Sequence, residues 1–345
     1  MLQYTKLKEH ERKSLRDLIP LPKPFTLVVE PSSLCNFCCD MCFHSVKKET
    51  YFSANKANMP MELYAEIVKQ MREWDGDRLK VLKLSLYGEP LINKSFCAML
   101  KMAKEAGISE RIETTSNVSL LTEDISEKLV KWGLDYIRVS TYSPVQEKHE
   151  RITASSINID SIRRNLESLA NIKARLRSST PFIAVKILDT YSEENELFKK
   201  MYKDVADELY IETPHNWIGG EKDFLGSMYG ADNEDVQKHL SAGENGRFAC
   251  GPSFYMLAVR NNGDISPCCV DWLGGTNIGN MSDITLREVW QGEPMRSFWY
   301  MQLSKQNTRN KSCRNCNVYK SDYYARDDVD GVPTERLFNT HKGKI

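Results

Sequence analysis

Apolar positions along the 345-residue chain fall into two alternating rhythms. Short β-rich runs predict strands at residues 26–30 (TLVVE), 81–86, 111–115, 136–140, 182–188 and 208–212. Between them the spacing lengthens to the helical i, i+3, i+4 pattern, which predicts helices over 61–74, 94–106, 123–132, 157–172 and 193–202. In the first of these Leu63, Ile67, Val68 and Met71 share one side, and Gly107 and Gly133 stop the second and third. Six strands alternating with helices predict an α/β fold with a parallel sheet and right-handed crossovers. Six units are two short of the eight that close a TIM barrel. Residues 214–246, rich in Gly, Asn and Asp, read as a connection. Beyond it the pattern predicts a strand at 254–260, a turn at Asn262-Gly263, a return strand at 265–268 and a helix over 285–290. The tail over 319–345 carries no readable pattern.

Composition narrows the class. Lys+Arg and Asp+Glu both number 47, so the formal net charge is zero, which argues against a nucleic-acid partner bound through bulk charge. No stretch approaches the ~18 apolar residues of a membrane span. The first residues hold no apolar signal core, which predicts a cytoplasmic protein. Disulfides are rare in that compartment, so the ten cysteines are expected to serve ligation or catalysis. They fall in two groups, Cys35, Cys38, Cys39 and Cys42 near the start and Cys250, Cys268, Cys269, Cys313 and Cys316 near the end, with Cys97 alone between. Two separate metal sites follow.

Cys35, Cys39 and Cys42 form C-x3-C-x2-C directly after the first predicted strand. That position is the C-terminal face of the sheet, where α/β barrels carry their active sites. Three thiolates at this spacing suit three corners of a 4Fe–4S cubane and leave one iron open to a small molecule. Zinc is the alternative ligand, although its sites favour two paired CxxC units and no second pair is nearby. The segment CNFCCDMCF resembles the cluster loop of the radical S-adenosylmethionine (SAM) enzymes, C-x3-C-x-aromatic-C. Met41 stands in the aromatic place and Phe43 follows as a candidate to cover the cluster. Three more segments match in order at successive strand ends. Tyr87-Gly88-Glu89-Pro90 resembles the GGEP motif with Tyr for the first Gly, Thr114-Thr115-Ser116-Asn117 resembles the TTNG stretch, and Val139-Ser140-Thr141 resembles the ISLDG stretch. The resemblance covers residues 24–213. It implies a SAM-binding 4Fe–4S cluster on three Cys, SAM contacts from Gly88, Glu89, Ser116, Asn117 and Ser140, and reductive cleavage of SAM to a 5′-deoxyadenosyl radical. Glu89 would accept from the SAM ammonium and Ser140 would meet the ribose hydroxyls.

Cys250, Cys268, Cys313 and Cys316 give C-x17-C-x44-C-x2-C. Four cysteines ending in CxxC also suit a structural zinc. The hairpin with its Gly turn, the PCC at its return, Ile278-Gly279-Asn280 and the Leu286…Trp290 helix resemble the SPASM/twitch extension of radical SAM enzymes. A full SPASM carries more cysteines and two auxiliary clusters. The resemblance here is to the twitch form, as in aminocyclitol dehydrogenases, with one auxiliary 4Fe–4S cluster on four Cys. Cys268 and Cys269 compete for one ligand place, because adjacent strand residues point to opposite faces; the family spacing favours Cys268.

The organisation expected is an N-terminal extension over 1–23, a partial (β/α)6 TIM barrel over 24–213, the connection, a SPASM/twitch domain of hairpin plus helix over 247–318, and the tail. The function expected is a radical SAM oxidoreductase that removes a substrate hydrogen atom and passes the second electron to the auxiliary cluster, alcohol to ketone on a sugar, aminocyclitol or similar small molecule. A flavodoxin or ferredoxin would supply the initiating electron. A peptide maturase is a second reading, weakened because the 23 residues before the first strand are fewer than the ~50 of a leader-binding domain. An epimerase or decarboxylase returning hydrogen from Cys38, Cys97 or Cys269 is a third, and a zinc-stapled binding module a fourth. His44, His149, His215, Arg247, Arg260, Trp217, Trp272 and Trp299 receive no role, the tryptophans because such residues are more often core than pocket. No residue is identified as the general base.

Overall fold

The computed structural model describes residues 13–212, 214, 224–230, 233–234, 246–316, 318–320 and 326–338; His215 and Trp217 lie outside them. Strands β1 (Thr26–Val29), β2 (Leu79–Leu84), β3 (Ser109–Ser116), β4 (Tyr136–Ser140), β5 (Phe182–Leu188) and β6 (Glu208–Glu212) pair in parallel, each with the next in the chain. Period-2 alternation gives the sheet two different faces. Leu82, Leu84, Ile112, Ile137, Val139, Ile183, Val185 and Ile187 are buried and join the main apolar core with the helices. Their strand neighbours Lys83, Glu113, Arg138, Ser140, Lys186 and Glu212 occupy the other face. The sheet curls around that polar face. Strands lie about 4.8 Å apart, so β2 and β6 would be about 19 Å apart in a flat sheet, yet Lys83 and Glu212 feel each other's charge. This is the parallel sheet of a partial barrel.

The helices follow from their apolar stripes. Met61–Glu73 buries Tyr64, Ile67, Val68 and Met71, with Leu63 only half-buried. Phe96–Ala106 ends where Gly107 takes the left-handed conformation at φ 61°. Ile159–Arg175 starts at Asn158, whose side chain accepts from the Asp160 amide, and runs three residues past its expected end. β2 starts and ends two residues early, because Ser85 to Gly88 already form the loop that carries the site. Gln146–Thr153 is a helix that the periodicity did not announce, being mostly polar with only His149, Ile152 and Thr153 buried.

The C-terminal segment joins the same sheet. β7 (Met256–Val259) runs parallel to β1 with Thr26 opposite Met256, then β8 (Asp264–Ser266) and β9 (Gly279–Asn280) continue antiparallel. The full order is β6-β5-β4-β3-β2-β1-β7-β8-β9. The expected turn is present, with Gly263 at φ 88°. Both strands of the hairpin are shorter than expected. Residues Gly251–Phe254 form a 3-10 turn before β7, and β8 stops at Ser266 because Pro267 has no amide to continue the ladder. Helix Leu286–Gln291 opens on a capping box between Thr285 and Glu288. A second helix, Glu293–Leu303, follows unannounced. Trp290 and Trp299 meet edge to face at 5.2 Å, and their ring N–H groups donate to Leu21 and Ser253 carbonyls, both at 2.8 Å. Trp272 is buried as well.

Candidate functional site

The first thiol loop hangs from the C-terminal end of β1. Its backbone is tied to the unannounced helix: the Cys38 amide donates to the Thr153 carbonyl and the Asp40 amide to that of Ile152, both at 2.8 Å, and Cys42 closes a turn onto Cys39 at 2.8 Å. Phe37 fills the gap beneath, edge-on to Tyr142 and His149. Cys39 is buried, Cys35 and Cys42 half-buried, and Cys38 exposed with its thiol donating to the His44 carbonyl. Burial pushes the Cys35 thiol up to about 11 and that of Cys42 up to about 12. Cys39 is raised by burial and then by the charge of Cys42, against a hydrogen bond from Tyr142. Buried thiols crowded this way become thiolates when a bound cation replaces their protons, which is the chemistry of an iron or zinc ligand.

Beside this loop the second and third motifs interlock. The Glu89 carboxylate is buried and accepts from the Ser116 hydroxyl and the Asn117 amide, both at 2.7 Å, and from the Leu91 amide at 3.1 Å. Burial outweighs those three bonds and lifts its carboxyl to about 7. Asn117 also donates to Asn36 at 3.0 Å, inside the thiol loop. Gly88 is needed for another reason: a Cβ there would collide with the backbone of Ser32, Ser33 and Leu34. Its hydrogen lets the loop after β2 close on the chain entering the thiol loop, where the Glu89 amide donates to Leu34 at 2.8 Å. Ser140 sits at the end of β4 opposite Lys186 of β5. Cys35, Cys39, Cys42, Gly88, Glu89, Ser116 and Asn117 are thus gathered at the C-terminal ends of β1, β2 and β3, with Ser140 on the sheet's inner face.

Tyr87 and Phe43 build a seam. Phe43 stands edge-on to Phe52 and Tyr87, both at 4.9 Å, and stacks over Trp272. The His44 ring meets the Tyr87 carbonyl at 3.1 Å; burial, then the Lys56 charge, push its pKa down to about 4. Arg260 lies over the Tyr87 ring and ion-pairs with buried Asp271 at 3.5 Å. Met41, in the family's aromatic place, is buried in the core.

The second thiol set is drawn from three distant segments, and two buried polar side chains hold it. Gln302 accepts from the Cys250 amide at 3.2 Å and donates to the Cys313 sulfur at 3.7 Å. Asp271 accepts from the Gly275 amide at 3.1 Å, from the Thr276 amide at 2.7 Å, from the Thr276 hydroxyl at 2.6 Å and from the Ser312 hydroxyl, next to Cys313. Asn310 caps the Cys313 turn. Cys250 is raised by burial and then by Cys316 and Cys313, so these thiols stand close. Strand alternation does not decide between Cys268 and Cys269, since β8 ends before them. Both lie within electrostatic reach of Cys250 and Cys316. They differ in what else they meet. Cys268 accepts from the Val270 amide at 3.4 Å, as Cys35 does from Phe37 at 3.5 Å. Cys269 packs on Val28, Met256 and Ala258 and faces Lys83 and Arg138. Among the described residues no three Cys, His, Asp or Glu side chains converge on one point as the ligands of a single ion do. By their chemistry the two cysteine sets, three thiols on one loop and four from distant segments, are donors of the kind that ligate a 4Fe–4S cluster.

Sequence reasoning missed Asp271, Gln302 and Lys83; a polar residue three places after a cysteine, or inside an amphipathic helix, carries no spacing signal. Cys97 has Lys128 and Asp124 of the outer helices as its charged neighbours. His149 is buried under Phe37. Among the described residues no helix is long and apolar enough to cross a membrane.

Residues 29–200 match the family model described as the radical SAM superfamily, and residues 250–317 match SPASM, an iron–sulfur cluster-binding domain. A tungsten-containing aldehyde ferredoxin oxidoreductase cofactor-modifying protein of Pyrococcus furiosus is 20% identical over 335 residues, 88% of this chain and 90% of that protein. Among solved structures, BtrN in complex with AdoMet and 2-DOIA aligns with a TM-score of 0.51 at 18% identity, over 85% of this chain and 92% of that one. Native anSMEcpe with bound AdoMet and Cp18Cys peptide aligns with a TM-score of 0.56 at 16% identity, over 91% of this chain and 96% of that one.

Proposed function

Because the chain belongs to the radical SAM superfamily and carries a C-terminal SPASM region, we propose that this enzyme oxidises a small-molecule alcohol to a ketone by two electrons. The observation that carries the reading is the second thiol set, four cysteines on a segment that β7 welds to β1. Loaded with both clusters and SAM, and given one electron by a flavodoxin or ferredoxin, the enzyme would have the chemistry to remove a substrate hydrogen atom through a 5′-deoxyadenosyl radical and to take up the remaining electron, while a base would take the hydroxyl proton.

The chain's own residues position these partners. Cys35, Cys39 and Cys42 hold the first cluster, and Cys250, Cys268, Cys313 and Cys316 the second. Glu89 receives the SAM ammonium, its carboxylate locked by Ser116, Asn117 and Leu91. Gly88 keeps the loop closed on the thiol segment, and Ser140 meets the ribose.

The test is anaerobic turnover of reconstituted protein with polyols, nucleotide sugars and short peptides in deuterated water. The expected result is one 5′-deoxyadenosine per ketone and no solvent deuterium at the carbinol carbon of recovered substrate. Solvent deuterium at an inverted carbon, lost on replacing Cys269, would reassign the reaction as an epimerisation. Turnover confined to peptides would move it to side-chain maturation, a reading to which the likeness to peptide-bound anSMEcpe lends support.

A further inference from the structure

The inner face of the curled sheet carries a concentration of charge that the reaction above leaves unused. Lys83 on β2, Arg138 on β4 and Lys186 on β5 occupy the face opposite the core-forming Leu82, Leu84, Ile137, Val139, Val185 and Ile187. Register fixes their heights, with Lys83 beside Val28 of β1 and Lys186 beside Ser140 of β4. The curl brings the three cations within reach of one another. Lys83 is lowered by burial and then by Arg138, against Glu113 and Glu212, and Lys186 by burial and then by Arg138, against Glu212.

Glu113, Glu208 and Glu212 face the same way, and Arg138 and Glu208 already have partners of their own. Glu212 ion-pairs with Lys186 and also accepts from the Tyr210 hydroxyl at 3.2 Å. Glu113 takes Arg111 at 2.8 Å. Among the described residues, Lys83 has no carboxylate within ion-pair distance. Lys186 and Arg138 have partners, so Lys83 is the cation that needs an anion, since withdrawing an ammonium from water is unfavourable until one neutralises it. Cys269 looks onto the same space from the C-terminal segment.

We propose that this face is an anion-binding subsite for the substrate, in which a carboxylate or phosphate of the substrate lies between Lys83, Arg138 and Lys186. An anion held there directs the rest of the molecule toward the C-terminal ends of the strands, where Ser140, Glu89 and the first thiol loop are gathered. The substrate class is therefore an anionic small molecule, a sugar phosphate or a hydroxy acid, rather than a neutral polyol. The inference deepens the proposed function and takes from it that this face receives substrate.

The experiment is calorimetric titration of the cluster-loaded enzyme with SAM under anaerobic conditions. The probes are inorganic phosphate, pyrophosphate and glutarate, with myo-inositol as the neutral control. At least one anionic probe binds and myo-inositol does not; the phosphate and carboxylate arms tell which group is preferred. Lys83→Met weakens that binding at least about tenfold, as expected when a buried charge partner is truncated, while Lys83→Arg restores it and both variants keep wild-type iron content. Added KCl weakens the binding. Failure of every anionic probe to bind, or equal binding by Lys83→Met, overturns the proposal. So does a Lys83→Met variant that moves only the midpoint potential of the second cluster, since the ammonium then serves the cluster's charge. Ketone formation plays no part in these readings, so the subsite and the oxidation stand or fall separately.

Discussion

The two thiol sites solve the same problem with different means. The first is contiguous: eight residues carry all of its thiols, and backbone bonds to helix Gln146–Thr153 hold the loop. The second collects its thiols from Cys250, the Cys268 turn and the Cys313 turn, and no short loop could gather them. There a buried carboxylate and a buried amide replace backbone contiguity, Asp271 tying the Cys268 turn to Ser312 and Gln302 tying Cys250 to Cys313. A site built from distant segments depends on buried polar hubs, and each hub is a single point at which the site fails.

The largest effect expected from breaking this contrast is at Asp271. Asp271→Ala leaves Arg260 buried without its carboxylate and frees four donors, which costs about 3–5 kcal/mol. Its iron content falls from about eight to about four per chain, one 4Fe–4S equivalent lost, measured by metal analysis and electron paramagnetic resonance of the remaining cluster. Replacing Cys35, Cys39 and Cys42 together by Ala should lose the other equivalent and leave the fold intact by circular dichroism. Loss of all iron in that triple variant would show that the sites are not independent.

A smaller effect separates the neighbours Cys268 and Cys269. Cys268→Ala should lose the second equivalent of iron, whereas Cys269→Ala should keep it. Equal loss would mean that the amide donated to the Cys268 sulfur does not mark a ligand.

The smallest effect lies at the seam between the regions. Glu30, at the end of β1, is buried, and its carboxylate accepts from the Asn261 amide at 3.1 Å. Burial pushes it up from 4.5 to about 7, against that bond and the charge of Arg260. The folded protein therefore holds a proton that the unfolded chain has lost, and stability falls as pH rises from about 4.5 to about 7. Glu30→Gln keeps an acceptor for Asn261 and removes the penalty. Its melting temperature should match the wild type near pH 4.5 and exceed it by on the order of 2–4 °C at pH 8; parallel curves at both pH values would refute the shift.

Much of this was legible in the chain. Eight strands, six helices, both thiol groups and the Gly263 turn follow from periodicity and spacing, because a strand or helix writes its burial into every second or third residue. The misses share a cause. Gln146–Thr153 buries only three side chains and so leaves almost no apolar rhythm, although it anchors the first thiol loop. Lys83 and Lys186 alternate with apolar residues as solvent-facing positions do, and only the curl of the sheet turns their side inward. Gly88 was expected as a SAM contact, and the structure shows that its missing Cβ makes room for the chain at Ser32–Leu34. Asp271 and Gln302 work through tertiary contacts that no local window contains.

The pairing of β1 with β7 also sets a timetable. β1 is an interior strand of the finished sheet, yet its partner on one side, Met256–Val259, lies about 230 residues further along the chain. At the usual 5–20 residues per second of synthesis, the edge of β1 waits roughly 10–50 s for that partner on the ribosome. During that interval Thr26–Val29 offers an apolar, unpaired strand edge to any neighbouring chain. Pairing so distant in sequence is also slow once the chain is complete. A chain cut before Met256 would keep that edge for good and is expected to sediment with the insoluble fraction, while the full chain is recovered from the supernatant.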